Sequence, residues 1–421
     1  MAPKFPAIAW RGLFDEYRQL VSPTTEAPDP FHWAAFAATF SALLGRGTYL
    51  TWGDENMPSL THVGILGETG KSRKTTAINA VLNTVVDHFK PMVPPEASMR
   101  DKNEPDPFVV IRGSGSGEGW IEMIADRKWK HSVQKVEYVQ KSRAALFVVS
   151  EFSMLLGKIK RGQAGSMEDF LLNSYDAMSE WVHVTKGKAV VATGATAGLL
   201  VATTFDGFKR VMSDEMVSAG LANRILWIAG DRKDLISFRP PVDQVKLGLF
   251  RVHMERCLRA CWNQRFTATA AAQQVHDALY RREGNVPSQG RAADEASNRM
   301  TTHALRIALL FAAAEGKTVI DLPHIEAAWA VAAYGKSVVT EIVDQLRATD
   351  DREVETRILD AIRREVETTK VIHFRKRDIH RHVMGRNGMP ATSFNKGWES
   401  LVVAGVLVQS VGLGGRFHVE D

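Results

Sequence analysis

The feature that most constrains this chain is a short apolar run, His62–Leu66, leading straight into GETGKSRKTT and then into a helix-forming stretch, AINAVLNTVVDHF. A strand that ends in a glycine-bearing loop and resumes as a helix turns backbone N–H groups and the positive end of the helix toward one point. Such a turn cradles phosphate, with a lysine on the terminal phosphates and a hydroxyl on magnesium. The pattern GxxxxGK[ST] is met imperfectly in either register. With Lys71 as the lysine, Ser72 follows it, but the first glycine position falls on Ile65, inside the strand. With Lys74, Thr75 follows, Glu68 stands at the first glycine and Arg73 at the second. A loop has to begin after its strand, near Gly67, which favours Lys74. The expected nucleotide-binding residues are then Gly67, Glu68, Thr69, Gly70, Lys71, Ser72, Arg73, Lys74, Thr75 and Thr76. Thr75 is the expected Mg2+ ligand, with Thr76 as the alternative. A glycine turn that holds no nucleotide is the plain alternative to all of this.

The surroundings suit that reading. Short apolar runs at His62–Leu66, Phe108–Arg112, Ala145–Val149, Gly198–Ala202 and Ile225–Ala229 alternate with helical stretches. Buried strands separated by helices predict an α/β fold with a parallel sheet and crossover helices. A chain of 421 residues is too long for one core, so several domains are expected. Residues 1–58 read as a helical region, its apolar stretch Phe31–Leu44 ended by Gly45 and Gly47. Residues 59–235 read as the core, and Pro240 with Pro241 marks a boundary. Residues 236–349 read as a helical lid without strands, and 350–421 as a small final domain. No apolar run is long enough to span a bilayer, and the N-terminal stretch lacks a signal-peptide layout, so a cytosolic location is expected. Cys257 and Cys261, the only cysteines, sit four apart on one helix face and read as core residues rather than as a disulfide or a metal site.

Candidate catalytic groups follow in chain order. Phe147–Ser150 is an apolar strand that ends beside Glu151, a carboxylate suited to polarise water on the strand next to the phosphate loop. Ser150 stands where an aspartate would help to hold magnesium. The run Gly198–Ala202 ends in Thr203 and Thr204. GSGSGEG, at Gly113–Gly119, reads as a flexible turn or as a nucleotide or subunit contact through Glu118. Arg306, alone in an apolar helix, needs a partner: a phosphate or an ordinary ion pair.

These blocks resemble, in order, those of phage and mobile-element P-loop proteins of the DNA primase/helicase-like kind, many grouped as a domain-of-unknown-function family. The blocks are the loop G-x-T-x-x-x-R-K, GSGSGEGWIE, LFVVSEF, GLANRILW and HALRIALLFA, and the likeness spans roughly residues 25–340. One departure is the adjacency of Thr75 and Thr76, where relatives often have glycine and then a hydroxyl. The resemblance implies an AAA+-like ATPase core acting on ATP with Mg2+. By likeness to AAA+ ATPases Thr203 would sense the γ-phosphate, ordinary threonines at a strand end being the alternative, and Arg306 would touch phosphate from the lid. Arg224 resembles the arginine finger of ring helicases, which implies a homo-oligomer, expected to be a hexamer; a salt-bridged arginine that caps the preceding segment is the alternative.

The final 70 or so residues read differently. Between Lys370 and Asp421 eight Lys/Arg face four Asp/Glu, and the basic excess of a chain with net charge +5 is concentrated there. A helical stripe (Val354, Ile358, Ile362, Val366), a short strand, a basic helix near Lys376–Val383, a helix carrying Phe394 and Trp398, and a hairpin make a winged-helix order. Thr392, Ser393, Asn395, Lys396 and Glu399 lie opposite the apolar face, as a DNA-reading helix requires. Arg375, Lys376, Arg377, Arg381 and Arg386 suit phosphate oxygens, and Arg416 suits the minor groove. His373, His380 and His382 read as phosphate or surface groups. A protein-contact role is the alternative for this unit. Together the parts lead to the expectation of an ATP-dependent DNA helicase or replication-initiator motor, with any primase as a separate partner. A DNA-stimulated remodelling or loading ATPase, and a non-catalytic DNA binder with a nucleotide switch, are the alternatives.

Overall fold

The structure is a computed structural model and describes residues 3–420 except 60–61, 69, 71, 90–100, 163–165, 186–187, 212–219, 222, 234, 287–298, 384–388, 390 and 411–414. The chain divides into two compact units, Met1–Thr340 and Glu341–Asp421. The stretches 1–58 and 59–235 and most of 236–349, expected as separate domains, fall within the first.

The first unit begins with α1 (Leu13–Val21), α2 (Asp29–Leu44), β1 (Tyr49–Trp52), β2 (Glu55–Pro58), β3 (His62–Leu66), α3 (Lys74–Val81) and α4 (Asp87–Phe89). It continues with β4 (Phe108–Arg112), α5 (Gly117–Ile124), the hairpin β5 (Arg127–Lys130) and β6 (Glu137–Gln140), then β7 (Ala144–Val149), α6 (Phe152–Lys160) and α7 (Met167–Tyr175). The hairpin β8 (Glu180–Thr185) and β9 (Lys188–Thr193) precedes β10 (Thr196–Thr203), α8 (Phe205–Val211) and β11 (Leu226–Ala229). After these come α9 (Gln244–Cys261), β12 (Arg265–Ala268), α10 (Ala270–Gly284), α11 (Met300–Ala313), β13 (Val319–Ile320) and α12 (Leu322–Thr369).

Five strands form one all-parallel sheet in the order β11-β3-β10-β7-β4, so the expected α/β core with a parallel sheet is present. Every residue of β3, β7, β10 and β11 is buried, which is why they read as unbroken apolar runs. Gly64 in β3 has no room for a side chain, because a Cβ there would stand 2.2 Å from the Trp227 ring. One face of the sheet is covered by α2, in which every residue from Phe31 to Leu44 is buried. It packs on β3, β7, β10 and β11 and is backed by α1, α9 and α11. Gly45 ends it with φ +69. Residues 1–58 are therefore part of the core rather than a preface to it. Burying an aromatic such as Phe36, stacked on Tyr17 at 4.9 Å, contributes about 1.5–3 kcal/mol.

Two further corrections concern strands. A second sheet, β13-β12-β1-β2, takes strands from both the first region and the stretch expected to be wholly helical. Its β1 and β12 pair in parallel with Tyr49 opposite Arg265. Strands of two to four residues give too few alternations to register as a period, and their pairing is set by the fold of the intervening chain.

The second unit takes the later part of α12, then β14 (Phe374–Arg375), α13 (Lys376–Val383), α14 (Ala391–Val403), β15 (Leu407–Gln409) and β16 (Arg416–Val419). Its sheet is antiparallel in the order β14-β16-β15. Ile358, Ile362, Ile379, Phe394, Trp398, Leu401 and Leu407 form its core, so the helical stripe and the apolar face of α14 point inward as expected. No helix among the described residues is long and apolar enough to cross a membrane.

Candidate functional site

Lys74 is the first residue of α3, and the loop that precedes it starts where β3 stops. Gly67 N–H donates to Thr203 O at 3.4 Å, which ties the loop to the end of the neighbouring strand. A Cβ on Gly67 would stand 2.6 Å from Ser72 Oγ and 2.9 Å from Phe31 Cζ, so the loop closes only over glycine. Gly70 and Arg73 both have positive φ, +68 and +57. Arg73 thus holds, at the position before the lysine, the backbone conformation that glycine adopts freely. Its guanidinium donates through Nε to Glu26 Oε2 at 2.8 Å. Glu26 is buried, and its pKa is lowered first by the Ile236 N–H it accepts and then by Arg73.

The Lys74 ammonium turns back into the loop. It donates to Gly67 O at 2.8 Å, Glu68 O at 3.0 Å and Ser72 Oγ at 3.3 Å, which accounts for all three of its protons. Ser72 Oγ in turn donates to Glu68 O at 2.8 Å. Burial lowers the Lys74 pKa, and the nearby Glu151 carboxylate opposes that shift. Glu151 is exposed and stands immediately before α6. Its strand β7 is not next to β3, as expected, because β10 lies between them. The intervening strand ends in Thr203, which is 1% exposed and whose hydroxyl has no partner. Thr204, its neighbour, accepts from Gly207 N and caps α8.

A cavity of about 320 Å3 opens beside this group, between α3 and the C-terminal ends of β4 and β7. Ile78, Asn79, Arg112, Ser150 and Glu151 are among its lining. Helical spacing puts Thr75 on the same face of α3 as Ile78, Asn79 and Leu82, and Thr76 about 100° away. Thr75 is exposed and Thr76 partly so. Asn79 and Arg112 were not anticipated, although the i, i+3, i+4 spacing from Thr75 marks the first of them. Gly113 and Ser114, the start of the glycine-rich block, also border the cavity. Glu118 does not: it accepts from Ser166 N at 3.2 Å and Ser166 Oγ at 3.0 Å. Its own backbone N–H, followed by the Ser166 and Ser116 donors, brings its pKa down to about 2. Thr69 and Lys71 lie outside the described residues.

Arg224 and Arg306 are gathered elsewhere. Arg224 precedes β11, whose first residue pairs with Val63 at the start of β3, the edge of the sheet opposite the loop. It donates to Asp176 at 3.1 Å, and Arg299 stands 3.8 Å from the same carboxylate. Arg306 is buried over the Tyr175 ring, 4.2 Å from its centroid, and donates to Tyr175 O at 2.9 Å. The five residues of β3 separate this cluster from Lys74 by roughly 13 Å or more. Arg306 therefore does not reach the loop of its own chain, because backbone and ring fill its reach. His303 joins the cluster, donating from Nε2 to Asn223 O, and burial pushes its pKa down to about 4.

In the second unit Arg375, Arg377, Arg381, Asn395 and Lys396 are exposed, Lys376 lies 5.9 Å from the Trp398 ring, and Arg416 pairs across the sheet with Arg375. Thr392 and Glu399 are exposed on α14. His373 bonds Ser410 at 2.9 Å, His382 bonds Glu365 at 2.6 Å, and His380 packs on Phe394. Arg386 lies outside the described residues. Cys257 and Cys261 are buried in α9, with pKa values pushed up by burial to about 11 and 12. The sequence matches no family model and no curated protein.

Proposed function

We propose that the first unit is an AAA+-like ATPase core that binds ATP with Mg2+ at the loop ending in Lys74, and that the second is a winged helix that binds DNA. The whole would be an ATP-driven DNA helicase or replication-initiator motor. The observation that carries the reading is the Lys74 ammonium, first in its helix, held against the carbonyls of a loop in which Gly70 and Arg73 have positive φ. A phosphate oxygen is a stronger acceptor than the carbonyls that Lys74 now engages, so a triphosphate can replace them. Loop N–H groups and the start of α3 would share the remaining charge.

Thr75, on the cavity face of α3, is the residue to hold magnesium, which neutralises charge on the phosphate oxygens when bound. Glu151 accepts a proton from, or orients, the attacking water at the cavity's other wall. The unpartnered Thr203 hydroxyl, beside Gly67, is suited to report the terminal phosphate. Arg224 lies at the far edge of its own sheet and would serve only a neighbouring subunit, for which a ring, expected as a hexamer, is the natural assembly. A primase would be a separate chain. In the second unit the exposed face of α14 would enter the major groove, with Arg375, Arg377 and Arg381 on phosphates.

ATP turnover measured with and without single- and double-stranded DNA tests this. Lys74→Ala and Glu151→Gln should each lower the rate by roughly 10²–10⁴ while Lys71→Ala keeps most of it. Equal turnover in Lys74→Ala refutes the site. ATP turnover without strand displacement leaves the remodelling or loading ATPase in place of the helicase.

A further inference from the structure

A cavity of about 480 Å3 lies away from Lys74, against the second sheet. Its volume falls in the roughly 300–1,000 Å3 range of small-molecule sites. Its walls come from β1 and β12 on one side and α10 on the other, and the rings of Trp52, His276 and Tyr280 line it. Trp52 and Tyr280 are 44% and 55% exposed, so both rings are open to a ligand. The His276 ring stands 5.4 Å from Trp52, almost edge-on at 83°. It is nearly parallel to Tyr280, at 16°.

His276 carries the sharpest clue. Trp329 Nε1 donates to its Nδ1 at 3.2 Å. An indole nitrogen only donates, so Nδ1 must be the unprotonated nitrogen of a neutral ring. Burial lowers the His276 pKa and keeps it neutral. The proton therefore sits on Nε2, and that N–H is buried without an acceptor. A buried donor left unmet is unfavourable unless something else supplies the acceptor. Arg265, exposed on β12, stands at the same cavity with a fixed positive charge. Asp277, which also lines the cavity, pairs with Arg281 at 2.8 Å.

From this combination we infer that the cavity is a second binding site and that its occupant is a nucleobase. A base offers a flat ring for Trp52 and Tyr280, a linked phosphate for Arg265 and, once a small movement of the His276 or Trp52 ring uncovers the buried Nε2, an in-plane acceptor for it. A hydrocarbon ligand would use neither the donor nor the cation, and an aliphatic acid would leave the two rings without a flat partner. The base belongs either to a free nucleotide or to single-stranded DNA, and the inference does not depend on the loop at Lys74 holding nucleotide.

The test uses the full chain carrying Lys74→Ala, Arg375→Ala, Arg377→Ala and Arg381→Ala, so that the loop and the basic C-terminal face contribute much less and equally to every variant compared. Labelled oligothymidine is titrated by fluorescence anisotropy and AMP by calorimetry. Trp52→Ala and Tyr280→Ala should each weaken at least one ligand about tenfold, and Trp52→Phe by no more than about twofold. Both positions are exposed, and unchanged melting temperatures exclude unfolding as the cause. Loss confined to oligothymidine identifies a base within a strand, and loss confined to AMP identifies a free nucleotide. Failure of both ligands to bind, or equal affinities with and without the Trp52 ring, overturns the inference.

Discussion

Replacing Lys74 by methionine separates what the lysine does for the empty loop from what it does for a ligand. In the free protein its ammonium bonds Gly67 O, Glu68 O and Ser72 Oγ. Charge-assisted bonds of this kind contribute about 1.5–3 kcal/mol when buried, but Lys74 is only half-buried and solvent screens it. About 1 kcal/mol for each of the two shorter bonds gives ~2 kcal/mol of local stability, or a roughly 30-fold change in loop opening. Hydrogen exchange should register this as roughly 30-fold faster exchange in residues 67–75, with β3 and β10 unchanged. A nucleotide at 100 times its Kd stabilises the wild type by about 2.7 kcal/mol. If losing the phosphate contact weakens binding about 50-fold, the same concentration stabilises Lys74→Met by only about 0.6 kcal/mol. A loop that exchanges at the wild-type rate, or a nucleotide that raises the melting temperature of both proteins equally, would show the cradle reasoning to be wrong.

Other expectations follow from the same geometry. Gly67→Ala drives a methyl into Ser72 and Phe31 and should cost about 1–3 kcal/mol in thermal unfolding. Ser72→Gly in the same chain should recover part of that cost, and purely additive effects would contradict the packing described. His303 must stay neutral in the fold, with its pKa lowered from 6.5 to about 4. As pH falls below 6.5 the unfolded chain takes up the proton first, so stability declines toward pH 4 by up to ~1.4 kcal/mol per unit. His303→Phe should flatten that decline, and melting curves that stay parallel across the window would exclude His303 as its source. In the second unit, Arg377→Ala and Arg381→Ala should weaken DNA binding evenly across sequences. Each should lower the log–log salt slope by about 0.9, and slopes equal to the wild type's would place the phosphates elsewhere.

The parallel sheet is legible because four of its five strands are wholly buried and read as apolar runs. His62–Leu66 is such an inner strand, and the edge strand Phe108–Arg112, buried only at Phe108, is marked by an apolar run that Arg112 ends. Lys74 could be preferred to Lys71 by asking only where a strand must stop. Illegible features depend on distant chain. Nothing near Arg73 announces Glu26, and nothing near Arg224 announces Asp176, because those pairings exist only once the sheet has assembled. The position of β7, one strand further from β3 than expected, is likewise a property of strand order, which local pattern does not encode. Trp52 and His276 drew no attention because each is ordinary in its own segment. Only the pairing of β1 with β12 brings them together.

The all-round burial of α2 has a consequence during synthesis. This apolar segment leaves the ribosome well before β10 and β11, which it must cover and which are encoded far downstream of it. At roughly 5–20 residues per second the nascent chain carries an uncovered sticky helix for on the order of ten seconds or more. Truncated versions that end before β11 should therefore be poorly soluble and retained by chaperones. A version lacking the first 58 residues should fare no better, because the sheet would then be the naked partner.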